Sequence, residues 1–174
     1  MREIWTLLGL LGIGGCAGIP DGIEAVKGFD VNRYLGKWYE IARFDHSFER
    51  GLTNVSATYS LREGGGVDVL NRGFDAEDGE WQTAKGKAYF VAEPELARLE
   101  VTFFWPFYGG YNVFDLDKDY AWSLVCGNDR SYLWILARAR KLPEELLKQL
   151  LDKAKALGFD VSKLIFVAQD REDA

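Results

Sequence analysis

The sequence predicts an all-β protein with one C-terminal helix, built as an eight-stranded antiparallel up-and-down β-barrel. Three observations favour this class: eight short β-like segments occur in series, turn residues separate them, and an amphipathic segment follows the eighth. Closure removes the exposed edges of a sheet, and eight strands enclose a space just wide enough for one small ligand. A β-sandwich has similar local patterns, and alternation alone does not separate the two folds.

The eight strands are predicted from runs of β-forming residues between turn sequences such as EGGG at 63–66 and GND at 127–129. Residues 54–61 and 98–103 alternate between apolar and polar side chains, which indicates one apolar face and one wet face. The seventh segment is apolar on both faces and is left unassigned. The predicted strands are residues 38–44, 55–61, 67–74, 85–91, 99–104, 111–116, 120–126 and 133–138.

A helix is predicted after the eighth strand, with Pro143 in its first turn and Gly158 as its stop. We expect its single apolar stripe to pack on the outside of the barrel. A last strand-like run at 164–167 could pair with the first strand. The stripe consists of Leu146, Leu147, Leu150, Leu151, Ala154 and Leu157.

The N-terminal segment has the pattern of an export signal. Arg2 precedes an apolar run at 4–13, which is about half the length needed to span a bilayer, and two glycines then lead to Cys16. This ending resembles the lipobox of bacterial lipoproteins, which implies removal of residues 1–15 and acylation of Cys16. Ala17, in place of Asp, then points to the cell outer membrane. The alternative is an ordinary hydrophobic N-terminus with an incidental cysteine.

We therefore expect a signal peptide at 1–15, a tether at 16–28 and a folded domain at 29–174. The formal net charge of −6 disfavours nucleic acid as a partner. His46 is the only histidine, so the sequence offers little basis for a His-based metal site or a Ser-His-Asp triad. We expect no metal, no cofactor and no catalysis. We expect His46 to be a solvated residue of the entrance loop at 45–50.

Three motifs in order carry a family resemblance. Gly36-Lys37-Trp38-Tyr39 reads G-x-W-Y before the first strand, residues 117–120 resemble a T-D-Y region, and the run at 133–138 ends in Arg138. Together they resemble the lipocalin family, most closely its bacterial lipoprotein members. The resemblance implies structural roles for Gly36, Trp38, Tyr39 and Arg138, with the Arg138 guanidinium across the indole. Residues 30–35 look like the short 3₁₀ turn that closes the barrel base.

The same resemblance implies binding of fatty acids or lysophospholipids in envelope maintenance, and a possible homodimer. Alternation predicts which side chains face the cavity, and Asn71 and Trp134 match pocket-lining positions of family members. The predicted ligand-binding set is Glu40, Ala42, Phe44, Val55, Ala57, Tyr59, Val69, Asn71, Ala88, Phe90, Val101, Phe103, Tyr111, Val113, Trp134 and Leu136.

Two other functions remain open at this point. Cys126 could be the nucleophile of a thiol-dependent lipid-modifying enzyme, although a buried strand thiol is usually inert. Alternatively, Phe107, Tyr108 and the loop around Phe48 could form a docking patch of an interaction protein whose barrel holds no ligand.

Overall fold

The computed structural model describes residues 18–172, so the predicted signal peptide and Cys16 lie outside the described part of the chain. One short helix precedes the eight strands of the barrel, and a second helix, a 3₁₀ helix (Val161–Lys163) and a short strand follow them. The elements are α1 (Val31–Tyr34), β1 (Gly36–Phe44), β2 (Leu52–Leu61), β3 (Val67–Asp75), β4 (Glu80–Phe90), β5 (Arg98–Phe104), β6 (Phe107–Leu116), β7 (Trp122–Cys126), β8 (Leu133–Ala137), α2 (Glu144–Ala156) and β9 (Leu164–Phe166).

The strands form a closed ring, which confirms the barrel and excludes the sandwich. Each strand from β2 to β7 pairs antiparallel with the next one in sequence. β1 closes the ring because it pairs with β2 on one side (Gly36↔Tyr59) and with β8 on the other (Tyr39↔Ala137). β9 extends β1 near its C-terminal end through Phe44↔Leu164, as predicted for residues 164–167.

The strand β4 is longer than predicted, because residues 80–84 lack the regular alternation of a strand but still pair with β3 (Asp75↔Glu80). The ladder between β4 and β5 runs only from Lys87↔Thr102 to Phe90↔Leu99. Among the described residues, 80–86 of β4 therefore have ladder partners on β3 alone. This part of the wall lies at the end of the barrel where β1 and β3 finish.

Apolar side chains form two clusters, one inside the ring and one between its outer wall and α2. The helix buries Leu150 and Ala154 against the wall, as its apolar stripe predicts, and ends before Gly158, whose φ is +90°. None of the helices between residues 18 and 172 has the length and apolar character needed to span a bilayer.

The described part of the predicted tether lies against the barrel and is not a free linker. Ile23 and Ala25 are buried, and Val26 donates its N–H to Val113 O at 2.9 Å. Ala97 donates in turn to Val26 O at 2.9 Å. Alternating apolar residues in this segment bury surface on the wall, so the folded unit begins well before residue 29.

The base of the barrel is closed by Trp38, which is fully buried. Its indole N–H donates to Tyr34 O at 2.8 Å, and the Arg138 guanidinium lies 4.0 Å from the ring centroid. Arg138 also donates to Arg33 O at 2.9 Å and to Lys37 O at 3.0 Å. These bonds join the N-terminal turn to β8.

Gly36 and Tyr39 complete the signature. Gly36 has φ +92°, and a Cβ there would lie 3.3 Å from an Arg138 nitrogen, so this position favours glycine. Tyr39 lies on the outer wall beside the Arg140 guanidinium. The predicted 3₁₀ turn is instead a single α-helical turn, α1, because Leu35 N donates to Val31 O and Asp30 caps Asn32 N.

Candidate functional site

A cavity runs inside the ring from the base to the opposite end, which we call the mouth. Phe29 and Leu35 line it near the base, and Phe48 and Phe103 line it at the mouth. Counting the open mouth, about 890 Å³ inside the ring is free of protein atoms. Apolar and aromatic side chains form most of its lining.

Twelve of the sixteen predicted positions line this cavity, although their role in binding remains a prediction. Alternation succeeds here because each strand keeps one face inward along most of its length. The twelve are Glu40, Val55, Ala57, Tyr59, Val69, Asn71, Ala88, Val101, Phe103, Tyr111, Trp134 and Leu136.

The prediction of an inward position is wrong for Ala42 and Phe44. The register of β1 against β8 shifts between Glu40 and Ala42, which marks a β-bulge. An extra residue reverses the alternation beyond it. Ala42 and Phe44 consequently pack in the outer cluster, where the Phe44 ring lies 6.5 Å from that of Phe159.

Phe90 and Val113 belong to the inner cluster but do not line the cavity. Val113 is fully buried, and its backbone bonds to the N-terminal segment through Val26. The Phe90 ring packs 6.4 Å from the Phe29 ring. Both side chains fill the base beneath the cavity floor.

Eight further residues line the cavity and were not predicted. Val67 lies two residues before Val69, and Leu99 lies two residues before Val101, so each pair faces the same side of its strand. The alternation of side chains could therefore have predicted Val67 and Leu99. The others come from the segment before β1 and from the loop after it, where no alternation exists. The eight are Phe29, Val31, Tyr34, Leu35, Phe48, Glu49, Val67 and Leu99.

Three tyrosine hydroxyls meet near the base of the cavity. The Tyr111 hydroxyl lies 2.8 Å from that of Tyr34 and 2.9 Å from that of Tyr59, and Tyr34 also bonds to Ser123 at 3.0 Å. Burial raises the pKa of Tyr34 to about 12 and raises the pKa of the other two tyrosines well above their usual value. This cluster is uncharged at neutral pH and satisfies its own hydrogen bonds.

A buried ionic cluster lies in the wall toward the mouth. Arg43 is almost fully buried and donates to Glu40 Oε1 at 2.7 Å and to Glu49 O at 2.8 Å. Burial, together with the nearby Glu49 carboxylate, raises the pKa of Glu40 well above its usual value. Burial likewise raises the pKa of Glu49, and the Arg43 guanidinium offsets the negative charge of the two carboxyl groups.

The loop between β1 and β2 is fixed over the mouth by this cluster. Trp134 donates its indole N–H to Glu49 Oε2 at 3.3 Å, and Arg43 donates to Leu52 O at 3.1 Å. His46 is buried in the same loop, with its ring stacked on Phe48 at a centroid distance of 4.2 Å. The prediction of a solvated histidine is therefore wrong, because aromatic neighbours cover the ring.

Acidification between pH 6.5 and 4 should destabilise the protein through His46. Burial, followed by the Arg43 charge, lowers the pKa of His46 to about 4, so the unfolded chain binds a proton here first. The free energy of unfolding therefore falls with pH across this window, by at most about 3 kcal/mol. We expect His46→Gln to remove this contribution in urea titrations at pH 7, 5.5 and 4. Parallel pH curves for the two proteins would contradict the assignment.

The thiol of Cys126 lies on the opposite side of the wall from the cavity. It is fully buried in the outer cluster, beneath α2. Burial raises its pKa to about 12, so almost no thiolate exists at neutral pH. The structure also shows which way the side chains of the seventh strand, β7, point. Val125 faces the inside of the barrel, whereas Leu124 and Cys126 face the helix.

A closed eight-stranded ring with an apolar interior that opens at one end defines the class of ligand-enclosing β-barrels. Residues 29–169 match the family model described as a lipocalin-like domain. The chain belongs to the lipocalin family.

Two similar proteins are both named outer membrane lipoprotein Blc. The one from Escherichia coli K12 is 56% identical over 150 residues, which cover 86% of this chain and 85% of the relative. The one from Vibrio cholerae is 47% identical over 170 residues, 97% of this chain and 99% of the relative. Insecticyanin from the tobacco hornworm aligns with a TM-score of 0.69 at 18% identity over 87% of this chain and 86% of its own, which supports the fold alone.

Proposed function

We propose that this chain is a lipid-binding protein anchored to the outer membrane, which holds a fatty acid or a lysophospholipid in its barrel. In this role it stores or transports such lipids in maintenance of the cell envelope. The observation that carries the proposal is the apolar cavity between the Trp38 base and the mouth. Its mostly apolar lining suits the acyl chain of such a lipid.

The energetics suit such a ligand. Burial of about fifteen methylenes contributes on the order of 12 kcal/mol. An association cost of about 4 kcal/mol, the low end of the usual range, leaves about 8 kcal/mol, which corresponds to a micromolar Kd. The tyrosine hydroxyls bond to one another, and the carboxyl group of Glu40 is paired with Arg43, so the polar groups of the wall have partners of their own.

The head group of the ligand is proposed to lie at the mouth. A second depression there includes Arg72 and Lys85 and shares Phe48, Asn71 and Phe103 with the cavity. Cationic side chains at this position favour an anionic carboxylate or phosphate. The buried Asn71 Oδ1 has no hydrogen-bond partner among the described residues and is available to a head-group donor.

Fluorescence titration of delipidated protein tests ligand binding. Trp134 lines the cavity, so we expect saturable quenching by a brominated fatty acid and by a brominated lysophospholipid, with one site per chain. Trp38 at the base and Trp105 near the mouth also lie close to the ligand, so Trp134→Phe should lose part of the quenching amplitude and keep the saturable form of the curve. Linear quenching without saturation in the unaltered protein would contradict the proposal.

Acylation of Cys16 is part of the proposal. Two relatives carry the name of an outer membrane lipoprotein, and the alignment with the Vibrio protein covers so much of this chain that it includes Cys16. Each methylene of an attached chain contributes about 0.8 kcal/mol of membrane binding, so two or more chains anchor a protein stably.

Replacement of Cys16 by Ala should move the protein from the membrane fraction to the soluble periplasmic fraction. We expect nearly complete release, measured by fractionation after a carbonate wash, because no acyl chain can be attached. Cys126→Ala is the matched control and should remain in the membrane. Retention of the Cys16 variant in washed membranes would count against the anchor.

The thiol-enzyme alternative is disfavoured by the buried, outward position of Cys126. We expect Cys126→Ala to keep lipid affinity within about twofold, since the thiol makes no contact with the cavity. Lipid turnover, followed by mass spectrometry of the bound lipid, should be absent in both proteins. A product that forms only with the cysteine present would restore the enzyme hypothesis.

A further inference from the structure

Four hydroxyl groups form a continuous row at the closed end of the cavity. Ser123 Oγ lies 3.0 Å from the Tyr34 hydroxyl, which lies 2.8 Å from that of Tyr111. The Tyr111 hydroxyl in turn lies 2.9 Å from that of Tyr59. We call these four residues the hydroxyl network. Its three tyrosines line the cavity, and among the described residues no group outside the network bonds to any of its hydroxyls.

The hydrogens of the network outnumber its hydrogen bonds by one. Each hydroxyl carries one hydrogen that it can donate, so the four hydroxyls supply four hydrogens, whereas the network contains three bonds. Every oxygen therefore has a partner, but one hydrogen has no acceptor inside the network. The position of this hydrogen decides what the network offers to a ligand.

The remaining hydrogen belongs to a tyrosine and not to Ser123. Ser123 is fully buried, and Tyr34 is the one partner of its hydroxyl among the described residues. A serine hydrogen directed elsewhere would be buried without an acceptor, which is costly. Ser123 therefore donates to Tyr34, and each tyrosine donates to the next as far as Tyr59. Bonds that run in one direction also strengthen one another. The hydrogen that is left over is on Tyr59, which lines the cavity.

The closed end of the cavity is otherwise apolar. Phe29 and Leu35 line it beside the tyrosines, and Val67 and Leu99 line it from β3 and β5. Among the described residues, no lysine or arginine lines the cavity. Burial raises the pKa of all three tyrosines of the network, so their hydroxyls keep their hydrogens at neutral pH. The closed end therefore offers one uncharged hydrogen-bond donor in apolar surroundings.

We propose that the hydroxyl network is a binding subsite for an uncharged oxygen atom at the inner end of the ligand. The ligand class is an acyl lipid whose chain carries a hydroxyl or a carbonyl group near its far end, and Tyr59 donates to that oxygen. This inference rests on the proposed function, which places an acyl chain in the barrel with its head group at the mouth. A chain that ends in a methyl group leaves the donor unpaired. A carboxylate is disfavoured here because it meets one donor and no cation.

Isothermal titration calorimetry with two lipids tests the subsite. Palmitate and ω-hydroxypalmitate have the same head group and the same number of carbons, and they differ in one hydroxyl at the far end. We expect the delipidated protein to bind ω-hydroxypalmitate at least as tightly as palmitate. The reason is that the bond from Tyr59 compensates for the water that the ligand hydroxyl loses on burial.

A fourfold variant measures the contribution of the donor. It removes every hydroxyl of the network through Tyr34→Phe, Tyr59→Phe, Tyr111→Phe and Ser123→Ala. Stability should change little, because all partners are replaced together by apolar groups of similar shape. We expect this variant to bind ω-hydroxypalmitate about tenfold more weakly than palmitate, because the ligand hydroxyl is then buried without a partner. Tyr39→Phe is the matched control, since Tyr39 lies on the outer wall, and it should keep the ratio of the unaltered protein.

Infrared spectroscopy tests the same hydrogen bond in the unaltered protein and requires no variant. The probe is a palmitate with an isotope-labelled ketone next to its terminal carbon. We expect the ketone band at a lower wavenumber in the protein than in a hydrocarbon solvent, because a donated hydrogen bond weakens the carbonyl bond. A band at the hydrocarbon position overturns the subsite.

The outcomes separate this inference from the proposed function. If the unaltered protein binds neither lipid, the function and the subsite are overturned together. Binding of palmitate with the same ratio of the two Kd values in the unaltered protein and in the fourfold variant overturns the subsite alone. Weaker binding of palmitate itself by the fourfold variant, with the ketone band at the hydrocarbon position, overturns it in favour of a carboxyl group held at the base.

Discussion

Ala57→Trp should abolish acyl-chain binding and leave the barrel folded. Ala57 lies on the inward face of β2, lines the cavity and is partly exposed to its empty space. An indole there occupies space inside the cavity and displaces part of the acyl chain that would otherwise be buried. We expect the Kd for palmitate or a lysophospholipid to rise about 100-fold or more, measured by isothermal titration calorimetry.

The matched control for this change is Ser60→Trp. Ser60 is on the same strand as Ala57 but on the outer face, and it is exposed. It adds a similar bulk without entering the cavity, so its affinity should stay near that of the unaltered protein. Any loss of stability in Ala57→Trp from overpacking should be about 1–3 kcal/mol, which urea unfolding would report. Unchanged affinity in Ala57→Trp would place the ligand elsewhere.

Trp38→Ala should cause the largest loss of stability among single changes in the barrel. Trp38 is fully buried at the base, its indole N–H bonds to Tyr34 O, and the Arg138 guanidinium lies over its ring. Truncation leaves a large void and an unpaired carbonyl, and we expect the free energy of unfolding to fall by about 3–5 kcal/mol.

Urea denaturation monitored by circular dichroism measures this loss, with Trp122→Ala as the control. Trp122 lies only partly buried against the outer cluster, so its removal should cost clearly less. A loss below about 1 kcal/mol for Trp38→Ala would show that the base relaxes around the void, contrary to the close packing described here.

Alternation predicted most of the cavity because the inside of a barrel follows the period of a strand. Asn71, Val101 and Trp134 line the cavity, as the alternation of inward and outward side chains predicts. The prediction failed for Ala42 and Phe44 because a β-bulge leaves no pattern in a run that is apolar on both sides of it. A register change of one residue is sufficient to reverse the face.

Other parts of the site depend on tertiary packing that local patterns do not record. Phe29 and Tyr34 line the cavity from a segment with no strand periodicity. His46 has a loop sequence typical of a solvated residue, yet Phe48 and Trp134 bury its ring. The contact of residues 19–27 with the wall was missed because Gly, Pro and Asp in that segment suggested a tether.

The most direct test of the account is native mass spectrometry of the protein extracted from membranes in mild detergent. A hollow barrel that carries lipid predicts a complex with one acyl lipid per chain, which Ala57→Trp should reduce to the empty protein. Fragmentation of the complex should release a fatty acid or a lysophospholipid. Only ligand-free protein, even after incubation with a stoichiometric excess of either lipid, would contradict the account.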